Sequence, residues 1–291
     1  REGHRPSRIA DLKLEGEDLE RVQAGKKDPE TRLKDHARDG IDAEVIYPTM
    51  GLMIWASNDY EFQQAMCRVY NDWAVETFSG YENVMVPAAC ISPMDVEGAV
   101  AEIHRVAKLG YRHVLFPVQP VQTGHQDVTK GRSIGYNLPL FDPIWAAMQD
   151  EGLPISFHVG TGRDPRTSGG NGGAIINYVW NALSPAIEPT VQLCASGVLE
   201  RFPRLEFSTV EAGCGWLAWA LWAADEAAHK HHMWVSPKLE LLPSEYFKRQ
   251  GHASFQDDPM GIETRDWFGG TSRLLWGNDY PHHEGTWPHS D

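Results

Sequence analysis

At 291 residues, 42% hydrophobic and 23% charged, the chain can bury one large core and is neither disordered nor collagenous nor a coiled coil in composition. Its formal charge of −14, from 26 Lys and Arg against 40 Asp and Glu, repels phosphate backbones and anionic lipids, and no basic run offsets it locally, which argues against nucleic acid as a partner. The cysteines Cys67, Cys90, Cys194 and Cys214 form no Cys-x-x-Cys pair, and no stretch reaches the roughly 18 apolar residues of a membrane span, so a reduced, cytoplasmic protein without a membrane partner is expected.

The first forty residues are polar and read as an extension or loop plus a short helix within a single domain that takes in residues 1–291. From Gly40 onward, short β-branched or aromatic runs alternate with segments of helical period, the pattern of repeated βα units and a parallel sheet. Strands are expected at Ala43–Pro48, Val84–Ile91, His113–Pro117, Pro154–Val159, Leu205–Glu211, more weakly Ala253–Asp257, and Arg273–Asp279. Helices are expected at Asp59–Ser79, Asp95–Leu109, Pro139–Glu151, Ile175–Ser196, Trp216–His229 and Met260–Trp267, with Asp95 as an N-cap and Gly110 and Gly152 at helix ends.

Parallel strands of this kind are seldom left with an open edge. The expected fold class is therefore α/β, a (β/α)₈ TIM barrel whose first strand precedes Arg1 and whose last helix follows Asp291; a doubly wound open sheet uses the same units and is the alternative. The glycine-rich Gly160–Gly173 segment directly follows a strand and is expected to be a mobile lid.

In parallel α/β folds, functional groups project from the C-terminal ends of strands, and three strands end in a group able to bind metal or move a proton. His158 ends PISFHV, Glu211 ends FSTVE and Asp279 ends LLWGND, each directly after an apolar run where an unpaired charge is expensive to bury. Taken singly, His158 also reads as a core histidine bonded to backbone, Asp279 as a turn cap and Glu211 as half of a salt bridge. Together at different strand ends they suit one divalent ion, zinc or manganese, held by His158 and Asp279, with Glu211 outside the coordination shell as a base. Glycines 213 and 215 are expected to let ligand approach the backbone there. Of His282, His283 and His289, His282 is the one expected to face the site with a catalytic role. Trp216, Trp219 and Trp222 read as a stripe packing on the barrel, and His229–His232 as a solvated helix end. No Gly-x-Ser-x-Gly elbow, Walker loop or dinucleotide fingerprint is present.

The motifs ISFHVGTG, TVEAGCGW and LLWGNDYPHHEGTWPHS, with RLKDHARDGIDAEVIYPT and CRVYNDWAVETF upstream, resemble the amidohydrolase-related metal-dependent family, which includes aminocarboxymuconate-semialdehyde decarboxylase and the resorcylate-type decarboxylases. The resemblance runs over nearly the whole chain from Gly40. It implies one divalent metal held by a first-strand histidine pair, by a histidine at His158 and by an aspartate at Asp279. The chain departs from the family in lacking the first-strand pair, and in carrying Glu211 where the decarboxylases usually have a catalytic histidine. The implied partner is a small-molecule substrate, and self-association into a homo-oligomer is compatible with the family. Three functions follow as expectations. Decarboxylation of a small carboxylic acid is favoured, hydrolysis of an amide, ester or lactone with Glu211 as base comes next, and a non-catalytic ligand-binding barrel is the third.

Overall fold

The computed structural model describes residues 28–120, 134–161, 168–282 and 285–290. Its strands are β1 (Glu44–Ile46), β2 (Met85–Pro87), β3 (Ala89–Cys90), β4 (Val114–Pro117), β5 (Ile155–His158), β6 (Phe207–Val210), β7 (Gly251–Phe255) and β8 (Leu274–Trp276). The main helices are α1 (Pro29–Asp39), α2 (Tyr60–Thr77), α3 (Val96–Lys108), α4 (Asp142–Glu151), α5 (Ile187–Ala195), α6 (Leu217–Lys230), α7 (Pro243–Gln250) and α8 (Pro259–Thr264). All pairings are parallel, in two ladders, β1-β2 and β3-β4-β5-β6-β7-β8. This is the order of a (β/α) barrel wound strand by strand, and among the described residues no hydrogen-bonded pairing closes it between β8 and β1.

β2 and β3 are two halves of the one strand expected at Val84–Ile91. The Ala88 N–H donates to Ile46 on one side, and the next residue, Ala89, donates to His113 on the other. Pro87 supplies no N–H at the point where the partner changes.

Alternate residues of the central strands face opposite ways, which sets the two layers. Ile155, Phe157, Phe116 and Phe207 point outward into the main core, where Phe116 meets Trp145 and Tyr136, and Phe207 meets Phe247. The opposite face carries Ser156 and Ser208, whose hydroxyls lie 3.1 Å apart, and the Tyr47 hydroxyl lies 2.9 Å from that of Ser156. His158 follows Ser156 by two residues, so it shares that inner face at the C-terminal end of β5.

Helix ends match the chemistry of their residues. Asp95 caps α3 by accepting from the Gly98 N–H, and Gly152 ends α4 with φ 67°. The long helix expected over Ile175–Ser196 is instead broken. A short helix at Gly173–Asn177 runs into a π-helical turn at Tyr178–Leu183 and a 3₁₀ turn at Ser184–Ala186 before α5 begins, and Pro185 and Pro189 withdraw two of the N–H donors a continuous helix needs. Helix α7 was not expected, although Pro243 in its first turn and the Glu245 carboxylate accepting from the Leu242 N–H are ordinary start signals. The tryptophan stripe also differs. α6 buries Leu217, Ala220 and Leu221 against the core, while Trp219 and Trp222 are 63% and 52% exposed. Residues 162–167 of the expected lid lie outside the described residues. The four cysteines are buried and unpaired, and among the described residues no helix is long and apolar enough to cross a membrane.

Candidate metal centre

β5, β6 and β8 deliver their ends to one place. His158 is the last residue of β5, Glu211 directly follows β6, and Asp279 stands three residues beyond β8. The His158 Nε2 lies 3.0 Å from a Glu211 carboxylate oxygen, the other Glu211 oxygen is 3.9 Å from His282 Nδ1, and His282 Nδ1 is 2.9 Å from Asp279. One donor atom each from Glu211, Asp279 and His282 falls within 4.8 Å of the others, a spacing that a single ion can bridge. All four residues singled out in the sequence therefore meet, with Glu211 central. His289 is exposed, and His283 lies outside the described residues.

Backbone geometry marks the same two carboxylates. Glu211 (φ 63°) and Asp279 (φ 57°) are the non-glycine residues with positive φ among the described residues, a conformation that costs an L-residue roughly 1–2 kcal/mol. Such strain persists where surrounding contacts over-determine it, and it clusters at functional sites. The Glu211 N–H donates to the Ser254 hydroxyl of β7 at 2.9 Å, and the His282 N–H donates to the Asp279 carbonyl at 2.8 Å.

Each histidine is also oriented. The His158 Nδ1 lies 2.8 Å from the Val159 carbonyl, which can only accept, so that contact places the ring proton on Nδ1 and leaves Nε2 to face the cluster. The Thr161 hydroxyl, donating to the His158 carbonyl and accepting from the Val118 N–H, fixes the strand end, and the Tyr47 ring packs against the imidazole with centroids 5.2 Å apart. Burial pushes the Glu211 carboxyl up, but its pairing with His282 and the nearby His158 outweigh this and hold it below the usual glutamate value. Pairing with Asp279 first, and with Glu211 second, pushes the His282 imidazole up to about 10 against the opposing effect of burial. Without an ion, two carboxylates stand against one protonated imidazole, that of His282, and a divalent cation would offset the remaining negative charge, so the donor set fits one.

The glycines after Glu211 serve a different neighbour from the one expected. A Cβ on Gly213 or Gly215 would come within 2.9 Å of the Asp258 carboxylate, so the close approach is to that side chain. Asp258 accepts from the N–H groups of Cys214 and Gly215 and caps α8 through Gly261, tying the loop after β6 to the loop after β7. Asp258, Tyr47, Thr161 and Ser254 shape the centre without a sequence signal beyond their place near strand ends.

The profile of the Amidohydrolase family matches residues 8–291. Among solved structures, the chain is similar to an amidohydrolase from Mycobacterium avium subsp. paratuberculosis at 19% identity and a TM-score of 0.72 over 90% of its length, and it spans 66% of that protein. It is similar to 5-carboxyvanillate decarboxylase from Sphingomonas paucimobilis at 24% identity and TM-score 0.65, with 86% of this chain and 72% of that one covered. A dihydroxybenzoic acid decarboxylase from a Polaromonas species, solved with manganese and the inhibitor 2-nitroresorcinol, shares 18% identity at TM-score 0.67, covering 90% of this chain and 77% of that one. At these identities the likeness shows the fold. No curated protein sequence matches the chain.

Proposed function

Because the chain belongs to the Amidohydrolase family, we propose that it forms a single-domain, metal-dependent enzyme that removes carbon dioxide from a small carboxylic acid without oxidation. The observation that carries this reading is the meeting of His158, Glu211, Asp279 and His282 at the ends of β5, β6 and β8. His158 and Asp279 are the proposed ligands of one divalent ion, since imidazole nitrogen with carboxylate oxygen suits zinc or manganese. When bound, the ion supplies a positive charge that draws in an anionic substrate and stabilises negative charge as it develops.

The chain's own residues then handle the proton. As the bond to the carboxylate carbon breaks, its electron pair stays on the substrate carbon, carbon dioxide leaves, and a proton from His282 takes its place. The side chain of His282 is 37% exposed, which gives solvent a route to restore that proton, and Glu211 holds the imidazole in position. Aromatic acids are the first substrates to test, because the similar structures include decarboxylases of carboxyvanillate and dihydroxybenzoate.

One observation favours a second reading. Glu211 is held below its usual pKa and is therefore ionised near neutrality, as a base that takes a proton from water in hydrolysis of an ester, amide or lactone should be. The experiment is to load the full chain with Mn²⁺ or Zn²⁺ and to measure carbon dioxide release from hydroxybenzoic acids beside acid release from lactones and esters. Chelator-sensitive carbon dioxide release supports decarboxylation, and turnover of the esters alone would replace it with hydrolysis.

A further inference from the structure

We propose that Asp39, the last residue of α1, is a positioning residue for the candidate metal centre: through Asn278 and Ser290 it fixes the left-handed turn on which Asp279 and His282 stand. The inference rests on the metal-site reading above.

Asp39 is a poor choice for its own helix. A carboxylate in the last turn opposes the helix dipole, and this one is buried, so its placement has to be explained by what it holds. One carboxylate oxygen accepts from the Ser290 N–H at 3.0 Å, and the other accepts from the Asn278 amide nitrogen at 3.0 Å and from the Ser290 hydroxyl. Three donors converge on two oxygens, a load that a carboxylate meets and an amide does not, because an amide nitrogen cannot accept.

Asn278 carries this anchor into the site. Its side-chain oxygen accepts from the Tyr280 N–H at 3.1 Å and its backbone carbonyl accepts from the Thr286 N–H at 2.9 Å, so it brackets Asp279 from both sides. The turn folds tightly enough that a Cβ on Gly285 would lie 2.5 Å from the Asn278 carbonyl. A second tie from α1 runs parallel to the first. The Tyr280 hydroxyl donates to Asp35 at 2.6 Å, the Trp287 indole N–H donates to the Asp35 carbonyl at 3.2 Å, and the Arg32 guanidinium lies over the Tyr280 ring at 4.9 Å. The positive φ of Asp279 is thus held from outside the metal centre by groups that reach neither its carboxylate nor His282.

The test uses the full chain and Mn²⁺ as probe, with affinity read by chelator competition and coordination by the electron paramagnetic resonance spectrum of the bound ion. Wild type is measured first; absence of a stoichiometric Mn²⁺ site there would overturn the metal-site reading itself. Asp39→Asn, which acts on the ligands only through Asn278 and the turn, is expected to weaken Mn²⁺ binding by about 10-fold, the low end of the loss that removing a direct partner of a ligand gives, and to alter the spectrum. Ser290→Ala, a milder change that keeps the test decisive if Asp39→Asn does not fold, should shift both in the same direction by less. Glu102→Gln is the control, removing a fully buried carboxylate bonded to Asn71 and Arg105; it should lower the melting temperature and leave Mn²⁺ affinity and spectrum unchanged. Wild-type affinity and spectrum in Asp39→Asn or Ser290→Ala, or equal weakening by Glu102→Gln, would overturn the positioning role.

Discussion

Glu211 and Asp279 stand out because both unusual backbone conformations and both electrostatic pairings fall on them. If Glu211 takes a proton and His158 with Asp279 holds the ion, Glu211→Gln should keep nearly normal metal content and lose about a hundredfold or more in turnover. Metal analysis and rate on the same sample separate the roles, since metal loss would make Glu211 a ligand. His113 provides an independent test of burial. Desolvation pushes its imidazole down to about 4, and among the described residues its Nε2 has no hydrogen-bond partner beside the Tyr47 ring. Because its folded pKa lies below the unfolded value, this residue's contribution to stability is present above about pH 6.5 and is lost as pH falls toward 4. In melting temperatures measured across that range, His113→Phe should flatten the acid limb, and an identical limb in the variant would refute it. His158, Glu211 and Asp279 were legible because each polar group ends an apolar run, and His282 from its place just after Asp279. Asp39 and Thr161 were not, because a side chain that acts through another leaves no periodic or compositional mark.

Among elements, strands were easier to read than helices. A buried parallel strand is a short apolar run between polar flanks, whereas a helix has to be read from its phase. The tryptophans at i, i+3 and i+6 show the difficulty, because steps of three at 100° per residue drift around the helix, so Trp216 packs on the core while Trp219 and Trp222 turn outward. The loop after β6 depends on an element the sequence did not link to it. Asp258 both caps α8 and holds two N–H groups of that loop, so Asp258→Ala removes one cap and leaves two further donors without their acceptor. A loss of about 2–4 kcal/mol is expected from urea unfolding, by summing a cap and two modest hydrogen bonds. A loss under about 0.5 kcal/mol would mean that this bridge does not support the Glu211 loop.

For the whole molecule, α1 joins β1 to the segment beyond β8. Arg32 pairs with Glu44 of β1 and donates to the Tyr280 carbonyl beyond β8, and His36 lies 2.9 Å from the same Glu44 carboxylate. Burial raises the Glu44 carboxyl, but His36 and Arg32 hold it below its usual value. Arg32→Ala, which leaves that charge buried with one partner fewer, should cost about 3–5 kcal/mol in cooperative unfolding, and a change near zero would show that the two ends do not depend on this link. The barrel class was legible from the alternation of strands and helices along the chain; this cross-chain tie was not, because its members are 12 to 248 residues apart. The proposed function makes turnover depend on one metal centre formed by the ends of β5, β6 and β8. It is tested most directly by measuring bound Mn²⁺ per chain and carbon dioxide release on the same sample, in wild type and Asp279→Ala. One ion per chain and chelator-sensitive release are expected in wild type, with both falling together by about a hundredfold or more in Asp279→Ala. Full metal content and undiminished turnover in Asp279→Ala would contradict it.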